Sequence, residues 1–382
     1  MKIAISTSVI QRGKTGVAQY VFALVRALLP ATDRHEFHLL VLEEDLPLFA
    51  FAADRMRLVI VPERHRPAVR NVLWHQTTLP RWLAREHIDV LHIPSYRRMV
   101  WRTPCARVAT IHDLAPFHVT GKYDPARMLY GRVVARRLAQ RQHRIIAISE
   151  NTARDIRRFF AVPEQKLEVI HNGIDHVRFS PGDPRAARAL AAERWELRQP
   201  FFLYISRIEH PAKNHVRLIE AFNDFKQRTG SGWQLALGGS DWHGAGNVHA
   251  AARASAFSRD IRFLGFVPDD ALAGLYRAAS AMVYPSLFEG FGFPPIEAMA
   301  CGCPVISSTR GSLGEVVGQA AELIDPLDVP GLSRALERVA TQESRRQDLQ
   351  RAGFENARRF DWATNASRVL ATYQEVLQNP TR

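Results

Sequence analysis

The chain alternates short apolar runs with segments whose apolar residues recur every three or four positions. Strand-like runs occupy Lys2–Ser8, Phe37–Leu42, Arg57–Pro62, Asp89–Ile93, Arg107–His112, Arg144–Ser149 and Leu167–His171. Between them, Val17–Leu29 places Val17, Tyr20, Val21, Leu24, Val25 and Leu28 on one helical face, and Pro125–Gln140 and Asn151–Phe160 read as further helices. Strands alternating with helices predict a parallel sheet covered on both sides. The pattern restarts with strands at Phe201–Ser206, Gln234–Leu237, Ile261–Leu264, Ala281–Tyr284, Pro304–Ser307 and Ala321–Ile324. Helices are expected at Val216–Lys226, Asp270–Ala279, Val329–Ala340 and Arg345–Arg358, and Asp361–Leu377 closes the chain as an amphipathic helix. Turn residues crowd Asn172-Gly173-Ile174-Asp175 through Pro181-Gly182-Asp183-Pro184, which places a linker there. The 382 residues therefore predict two α/β domains, each a doubly wound sheet.

Charge changes this picture more than composition does. The formal net charge is +13, and nearly all of it lies in the first half. Residues 1–180 hold 28 Lys and Arg against 16 Asp and Glu, whereas residues 181–382 hold 23 against 22. The clusters are Arg64-His65-Arg66, Arg97-Arg98 with Arg102, and Arg127, Arg132, Arg136, Arg137, Arg141 and Arg144. Three readings fit: attraction to an anionic membrane, a site for a phosphorylated acceptor, or a solvated arginine-rich face. Trp74, Trp82, Tyr96 and Trp101 lie among these arginines, as interfacial or as core residues. No nucleic-acid-binding motif accompanies the charge, so nucleic acid is not expected as a partner. No apolar run reaches membrane-spanning length, and the start of the chain lacks a signal-peptide cleavage pattern. Cys105, Cys301 and Cys303 imply neither a disulfide framework nor a metal site. These points suggest the cytoplasm.

The most informative stretch runs from Ser286 to Val305. The strand Ala281–Tyr284 gives way to a glycine loop and then to Pro294-Pro295, which suit a first helical turn. Glu289 falls in the loop and Glu297 is expected in the first turn, with the amides of Gly290, Phe291, Gly292 and Phe293 around the helix start. Amides at a helix N-terminus bind anions. A diphosphate flanked by hydroxylated groups fits them, with one carboxylate for each set of hydroxyls. In a second stretch a strand delivers Arg207, and Lys213 follows six residues later, just before a helix. Two fixed cations near one strand end suit a nucleoside diphosphate. No Asp-x-Asp is placed to hold a divalent cation, so no metal is expected.

The segment Glu-Gly-Phe-Gly…Glu-Ala-Met-Ala-Cys-Gly-Cys-Pro-Val, with seven residues between its glutamates, resembles the signature of family 4 retaining glycosyltransferases. The resemblance implies the GT-B fold, two Rossmann-like doubly wound domains facing a central cleft. Residues 1–178 plus 362–382 would form the acceptor-binding domain, with the last helix crossing back to it, and 179–361 the nucleotide-sugar domain. It implies that Glu297 grips the ribose hydroxyls, that Glu289 grips the transferred sugar, and that Arg207, Lys213 and the amides after Glu289 hold the diphosphate. Gly16, in Gly13-Lys14-Thr15-Gly16, matches a glycine loop near the donor phosphate. His112 would lie at the sugar end of the cleft, beside Asp113. Ser149 and Asn151 are candidates for its lining, Asn151 equally a helix cap. Phe266 and Val267 would lie against the nucleobase, with Phe266 equally readable as core.

The implied reaction is retaining hexosyl transfer from a nucleotide sugar to a glycan or lipid-linked acceptor in surface-polysaccharide synthesis, without cofactor. In this family the leaving phosphate is often taken to help deprotonate the acceptor. Similarity to bacterial O-antigen and exopolysaccharide mannosyltransferases makes GDP-mannose the first expectation and a UDP-sugar the second. The inner face of the plasma membrane is the expected peripheral location. Competing readings are a glycoside hydrolase using Glu289 and Glu297, a sugar-nucleotide epimerase of the same architecture, and a non-catalytic basic protein on a membrane surface.

Overall fold

Thirteen strands form two all-parallel sheets in the computed structural model, which describes residues 1–13, 15–118 and 129–378. Lys14, Arg127 and the start of the helix expected from Pro125 lie outside the described residues. In the first sheet β1 (Lys2–Ser6), β2 (Glu36–Leu42), β3 (Arg57–Val61), β4 (Val90–Ile93), β5 (Ala106–Ile111), β6 (Arg144–Ala147) and β7 (Leu167–Val169) take the order β3-β2-β1-β4-β5-β6-β7. Parallel strands are covered on both faces, and the pleat divides their side chains accordingly. Ile3, Ile5, Phe37, Leu39 and Val41 pack with the helix Gly16–Leu28 and with Val369, Tyr373 and Val376 of the helix Trp362–Gln378. Ala4, Leu40 and Leu42 face the other way, toward Leu79 and Leu83 of the helix Ala68–Arg85. Each such Val, Leu, Ile or Phe side chain, fully buried, contributes about 1.5–3 kcal/mol.

The second sheet is built from β8 (Phe201–Ile205), β9 (Gln234–Gly238), β10 (Ile261–Gly265), β11 (Ala281–Tyr284), β12 (Val305–Ser308) and β13 (Glu322–Ile324), in the order β10-β9-β8-β11-β12-β13. Both sheets reverse direction of growth beside their first strand, between β1 and β4 and between β8 and β11. Ligands collect beyond the carboxyl ends of strands at such switch points.

The chain divides into one unit of Met1–Gly173 with Trp362–Arg382 and another of Ile174–Asp361. The first boundary lies ahead of the expected residue 178 because residues after Gly173 are fastened to the second unit. Ile174 bridges to Asp361, His176 Nε2 meets the Phe360 carbonyl at 3.0 Å, and Arg277 Nε donates to the Ser180 carbonyl at 2.8 Å.

Pro184 proves to open a helix, Pro184–Trp195, with Asp183 capping it through the Arg185 amide at 2.8 Å. The same proline that reads as a turn residue is at home at a first helical position. The helix Ala68–Arg85 escaped the pattern because it carries Pro80 within it.

Candidate functional site

In the second unit, β8 and β11 are neighbours at the switch point, and the loops after them are laced together. The Leu287 amide donates to the Ala212 carbonyl at 3.0 Å, and Asn214 Nδ2 donates to the carbonyls of Pro285 (3.1 Å) and Pro326 (2.7 Å). This lacing sets Lys213 Nζ 2.5 Å from Glu289 Oε1, with the two side chains 14% and 16% exposed. Tyr284, the last residue of β11, donates its hydroxyl to the same Oε1 at 3.1 Å, and Tyr204 donates to the Lys213 carbonyl at 2.7 Å. Burial and the neighbouring Glu289 carboxylate push the Tyr284 phenol well above its ordinary value, so it stays a donor. Glu289 Oε2 has no hydrogen-bond partner among the described residues.

Glu297 repeats this arrangement. It lies in the second turn of the helix Phe293–Ala300 rather than the expected first, because Phe293 and the two prolines occupy the start. The Tyr276 hydroxyl donates to Glu297 Oε2 at 3.0 Å, and Oε1 has no hydrogen-bond partner among the described residues. Burial raises the carboxyl's pKa to about 7, against the Tyr276 bond and the Arg178 charge, which lower it. Gly290, Phe291 and Gly292 form the turn ahead of this helix. Gly292 sits at φ 107°, where a Cβ would come within 2.6 Å of Leu313 Cδ2. Phe291 is buried against Phe293 and Phe360.

The residues after β12, which the sequence left without a role, clamp the Glu289 loop from behind. The Ser312 amide donates to the Glu289 carbonyl at 3.1 Å, and its hydroxyl lies 3.0 Å from that carbonyl and 2.8 Å from that of Phe291. Gly311, at φ 64°, passes so close that a Cβ would fall 2.6 Å from Glu289 O.

Arg207 is not drawn into the Lys213–Glu289 pair. Its half-exposed guanidinium meets Glu209 at 3.2 Å and lies 5.0 Å over the ring of Trp242. Phe266 and Val267 separate: Val267 is buried, while Phe266 is 72% exposed, so it is not a core residue. Gly238 and Gly239 let the ends of β8, β9 and β10 close up. A Cβ on Gly238 would lie 2.7 Å from Ile205 Cδ1, and the Gly239 amide donates to the Gly265 carbonyl at 2.7 Å.

In the first unit, Thr15 caps the helix Gly16–Leu28 by accepting from the Ala18 amide at 3.2 Å. A Cβ on Gly16 would meet nothing within 4 Å, so internal packing does not require glycine there. His112 leaves β5 with Nε2 3.1 Å from the Pro94 carbonyl and its ring edge-on to Tyr20 at 4.6 Å. A carbonyl only accepts, so the proton is on Nε2 and Nδ1 is left as an acceptor. Burial lowers the pKa of this imidazole to about 4, so it is neutral near pH ~7. Tyr20 is held by Thr110 (3.1 Å), Thr110 by His92 (2.8 Å), and His92 by Tyr373 of the last helix (2.6 Å). Asp113 accepts from the Ala115 amide at 3.0 Å. Ser149, not Asn151, caps the next helix, through the Thr152 amide at 3.0 Å.

His112 also lines a cavity of about 1040 Å³ beyond the carboxyl ends of β1, β4 and β5. The aromatics among the arginines divide: Trp74 is buried, whereas Trp101 is 40% exposed under the Arg141 guanidinium at 3.8 Å. Among the described residues no helix is long and apolar enough to cross a membrane, and no cluster of His, Cys, Asp and Glu could hold a metal ion. All three cysteines are buried and unpaired.

The tyrosines that brace both glutamates, and the Gly311-Ser312 clamp, were missed in the sequence. The available signal for Tyr284 was its place at the end of the strand that carries Glu289. Tyr276 gave none, since its helix is remote in sequence from Glu297.

Comparison with known proteins matches residues 188–356 to the model of the glycosyl transferases group 1, and residues 14–178 to that of glycosyltransferase family 4. The chain is 28% identical over 385 residues to the O-antigen chain mannosyltransferase B of Escherichia coli, covering 98% of this chain and 100% of that protein. Among solved structures it resembles a sucrose-phosphate synthase from Thermosynechococcus elongatus, with a TM-score of 0.78, 21% identity and 99% of each chain covered. It also resembles Anabaena HepE, solved with UDP and glucose, with a TM-score of 0.74 and 18% identity over 98% of this chain and 100% of that one.

Proposed function

Since the chain belongs to the family 4 glycosyltransferases and has the GT-B fold, we propose that it moves mannose from a nucleotide diphosphate sugar, with retained configuration, to a lipid-linked or other glycan acceptor in surface-polysaccharide synthesis. The observation that carries this reading is the Lys213–Glu289 pair at the switch point of the second sheet. Lys213 is positioned to take the diphosphate with the donor hydrogens that Glu289 does not use. Glu289 is already anchored through one oxygen and offers the other to hydroxyls of the transferred sugar. Glu297 is braced in the same way by Tyr276 and offers its free oxygen to the ribose.

The diphosphate gains charge as it leaves, so a cation and the positive end of the Phe293–Ala300 helix stabilise the transition state more than the ground state. Arg207 joins them by leaving Trp242 and Glu209. The amides of Gly290, Phe291 and Gly292 lie on the same loop as Glu289. Phe266, standing out at the end of β10, offers a face to the nucleobase, with the backbone of Val267 beside it. Gly16, whose α-hydrogen side is open, admits a phosphate close to the backbone. His112 accepts a sugar hydroxyl at Nδ1. No protein nucleophile and no metal ion are required in this scheme.

The mannosyltransferase relative supports mannose as the sugar moved; GDP-mannose is the first donor expected, and a UDP-sugar, which the UDP-bound structure favours, the second. The basic half of the chain and the exposed Val69, Leu73 and Trp101 support an acceptor on the inner face of the plasma membrane.

The test is a thermal-shift screen of nucleotide sugars, since a ligand held by the native state raises its melting temperature. It is followed by product analysis with the donor that binds. Release of free nucleoside diphosphate with an α-linked product from an α-linked donor is expected. A product that keeps its nucleotide, or hydrolysis of a simple glycoside without nucleotide, would overturn the reading.

A further inference from the structure

The cavity of the first unit holds an arginine that the scheme above leaves unused. Arg98 ends the short turn Tyr96–Arg98 beyond β4 and lines the cavity. Its Nε donates to Asn71 Oδ1 at 2.5 Å and its Nη1 to the Arg97 carbonyl at 3.1 Å, both neutral acceptors. Nη2 has no hydrogen-bond partner, and Arg98 no ion pair, among the described residues. Two other arginines of the lining differ: Arg12 meets Glu44 at 2.5 Å, and Arg66 pairs with Glu63 and Asp45. Among the described residues Asp113 is the one carboxylate in the lining, and it is turned to the Ala115 amide. A guanidinium drawn out of water without a counter-charge is costly unless an anion completes it. Burial lowers its pKa from the ordinary value, with no carboxylate raising it.

On the same cavity the helix Ala68–Arg85 presents Val69 and Leu73, 73% and 56% exposed and one turn apart. We infer that Arg98 anchors an anion subsite that takes a phosphate group, with the apolar remainder of the same ligand lying along Val69 and Leu73. The two hydrogens of Nη2 and the second of Nη1 face phosphate oxygens, and the Asn71 and Arg97 contacts hold the plane of the guanidinium. Assigning this phosphate to the acceptor rests on the transfer reaction proposed above; the anion subsite itself does not.

The test uses the whole protein with a saturating nucleoside diphosphate, so that the second unit is filled, and titrates inorganic pyrophosphate calorimetrically. One further binding event is expected. Arg98→Gln should weaken it about tenfold or more, as charge-assisted hydrogen bonds are lost. Arg98→Lys should keep part of it, and carries the test if Arg98→Gln fails to fold. Arg132→Gln, at an exposed arginine, and Lys213→Met should leave it intact. Geranyl diphosphate should bind more tightly than pyrophosphate, with the gain removed by Leu73→Ser. Equal binding of the two would overturn the apolar wall, leaving a free phosphate group as the ligand. No event beyond the one that Lys213→Met removes, or one unmoved by both Arg98 variants, would overturn the subsite while leaving the donor reading intact. Loss of the pyrophosphate event in Arg98→Gln, with nucleotide binding indifferent to Lys213→Met, would support the subsite and count against the donor reading.

Discussion

Lys213→Met removes one charge and keeps most of the side-chain volume, so it isolates what the ammonium contributes. In the free protein Nζ is 2.5 Å from Glu289 Oε1 in a pocket that leaves each side chain about one-seventh exposed. A hydrogen bond to a charged group contributes about 1.5–3 kcal/mol. If Lys213 makes one such bond to the diphosphate, its loss weakens GDP or UDP binding about tenfold to a hundredfold, since each 1.4 kcal/mol is about a factor of ten. The effect on turnover should be larger, on the order of 10²–10³ in kcat, because charge on the diphosphate grows toward the transition state. Stability should fall modestly, because Glu289 keeps the Tyr284 bond. The assays are calorimetric titration with each nucleotide and initial rates of transfer. Glu289→Gln is the control: it also breaks the ion pair, yet it should lower kcat while leaving nucleotide affinity within about twofold. A Lys213→Met protein that folds and binds both nucleotides as the parent does would refute the reasoning.

Gly16→Ala should leave the melting temperature unchanged or slightly higher, since a Cβ there meets nothing within 4 Å, while donor affinity falls; equal donor affinity would remove Gly16 from the site. Gly311→Ala should cost about 1–3 kcal/mol and depress kcat, because its Cβ would press on the Glu289 backbone at a positive φ; normal kinetics would show that the clamp is dispensable. Donor affinity should rise between about pH 6 and 8 as Glu297, with its pKa raised to about 7, ionises and accepts the ribose hydroxyls, and Glu297→Gln should flatten that profile. The stability term of the same group runs the opposite way. The folded protein keeps a proton that the unfolded chain releases near 4.5, so that contribution is present below about 4.5 and lost as pH rises through about 7.

All thirteen strands were legible because an apolar run between turn residues has few other readings. The helix Ala68–Arg85 was not, since Pro80 inside it argues locally for a break that tertiary packing of Leu79 and Leu83 overrides. The loop positions of Glu289 and Lys213 were legible because glycines and prolines fix where a loop must turn, whereas Glu297 falls one helical turn later than the prolines suggested. Their supports were less so: Tyr276 and Ser312 are ordinary members of other elements that only the tertiary fold brings to the glutamate loops, and Tyr284 had no signal beyond its place at the end of the strand that carries Glu289. Phe266 and Val267 show the finer limit, because adjacent apolar residues in a turn face opposite directions and composition does not say which is outermost.

The helix Trp362–Gln378 completes the first unit from beyond the whole of Ile174–Asp361 in the sequence. During translation, Tyr20 and His92 emerge long before Tyr373, which closes their buried hydrogen-bond chain. The segment 174–361 is finished while the earlier residues still lack that covering, and domains generally fold as units while they emerge from the ribosome. The part made first is therefore the part sealed last. A ribosome stalled while the Trp362–Gln378 helix is still inside its exit tunnel would hold a nascent chain whose Ile3, Leu39 and Val108 surface remains open to chaperones.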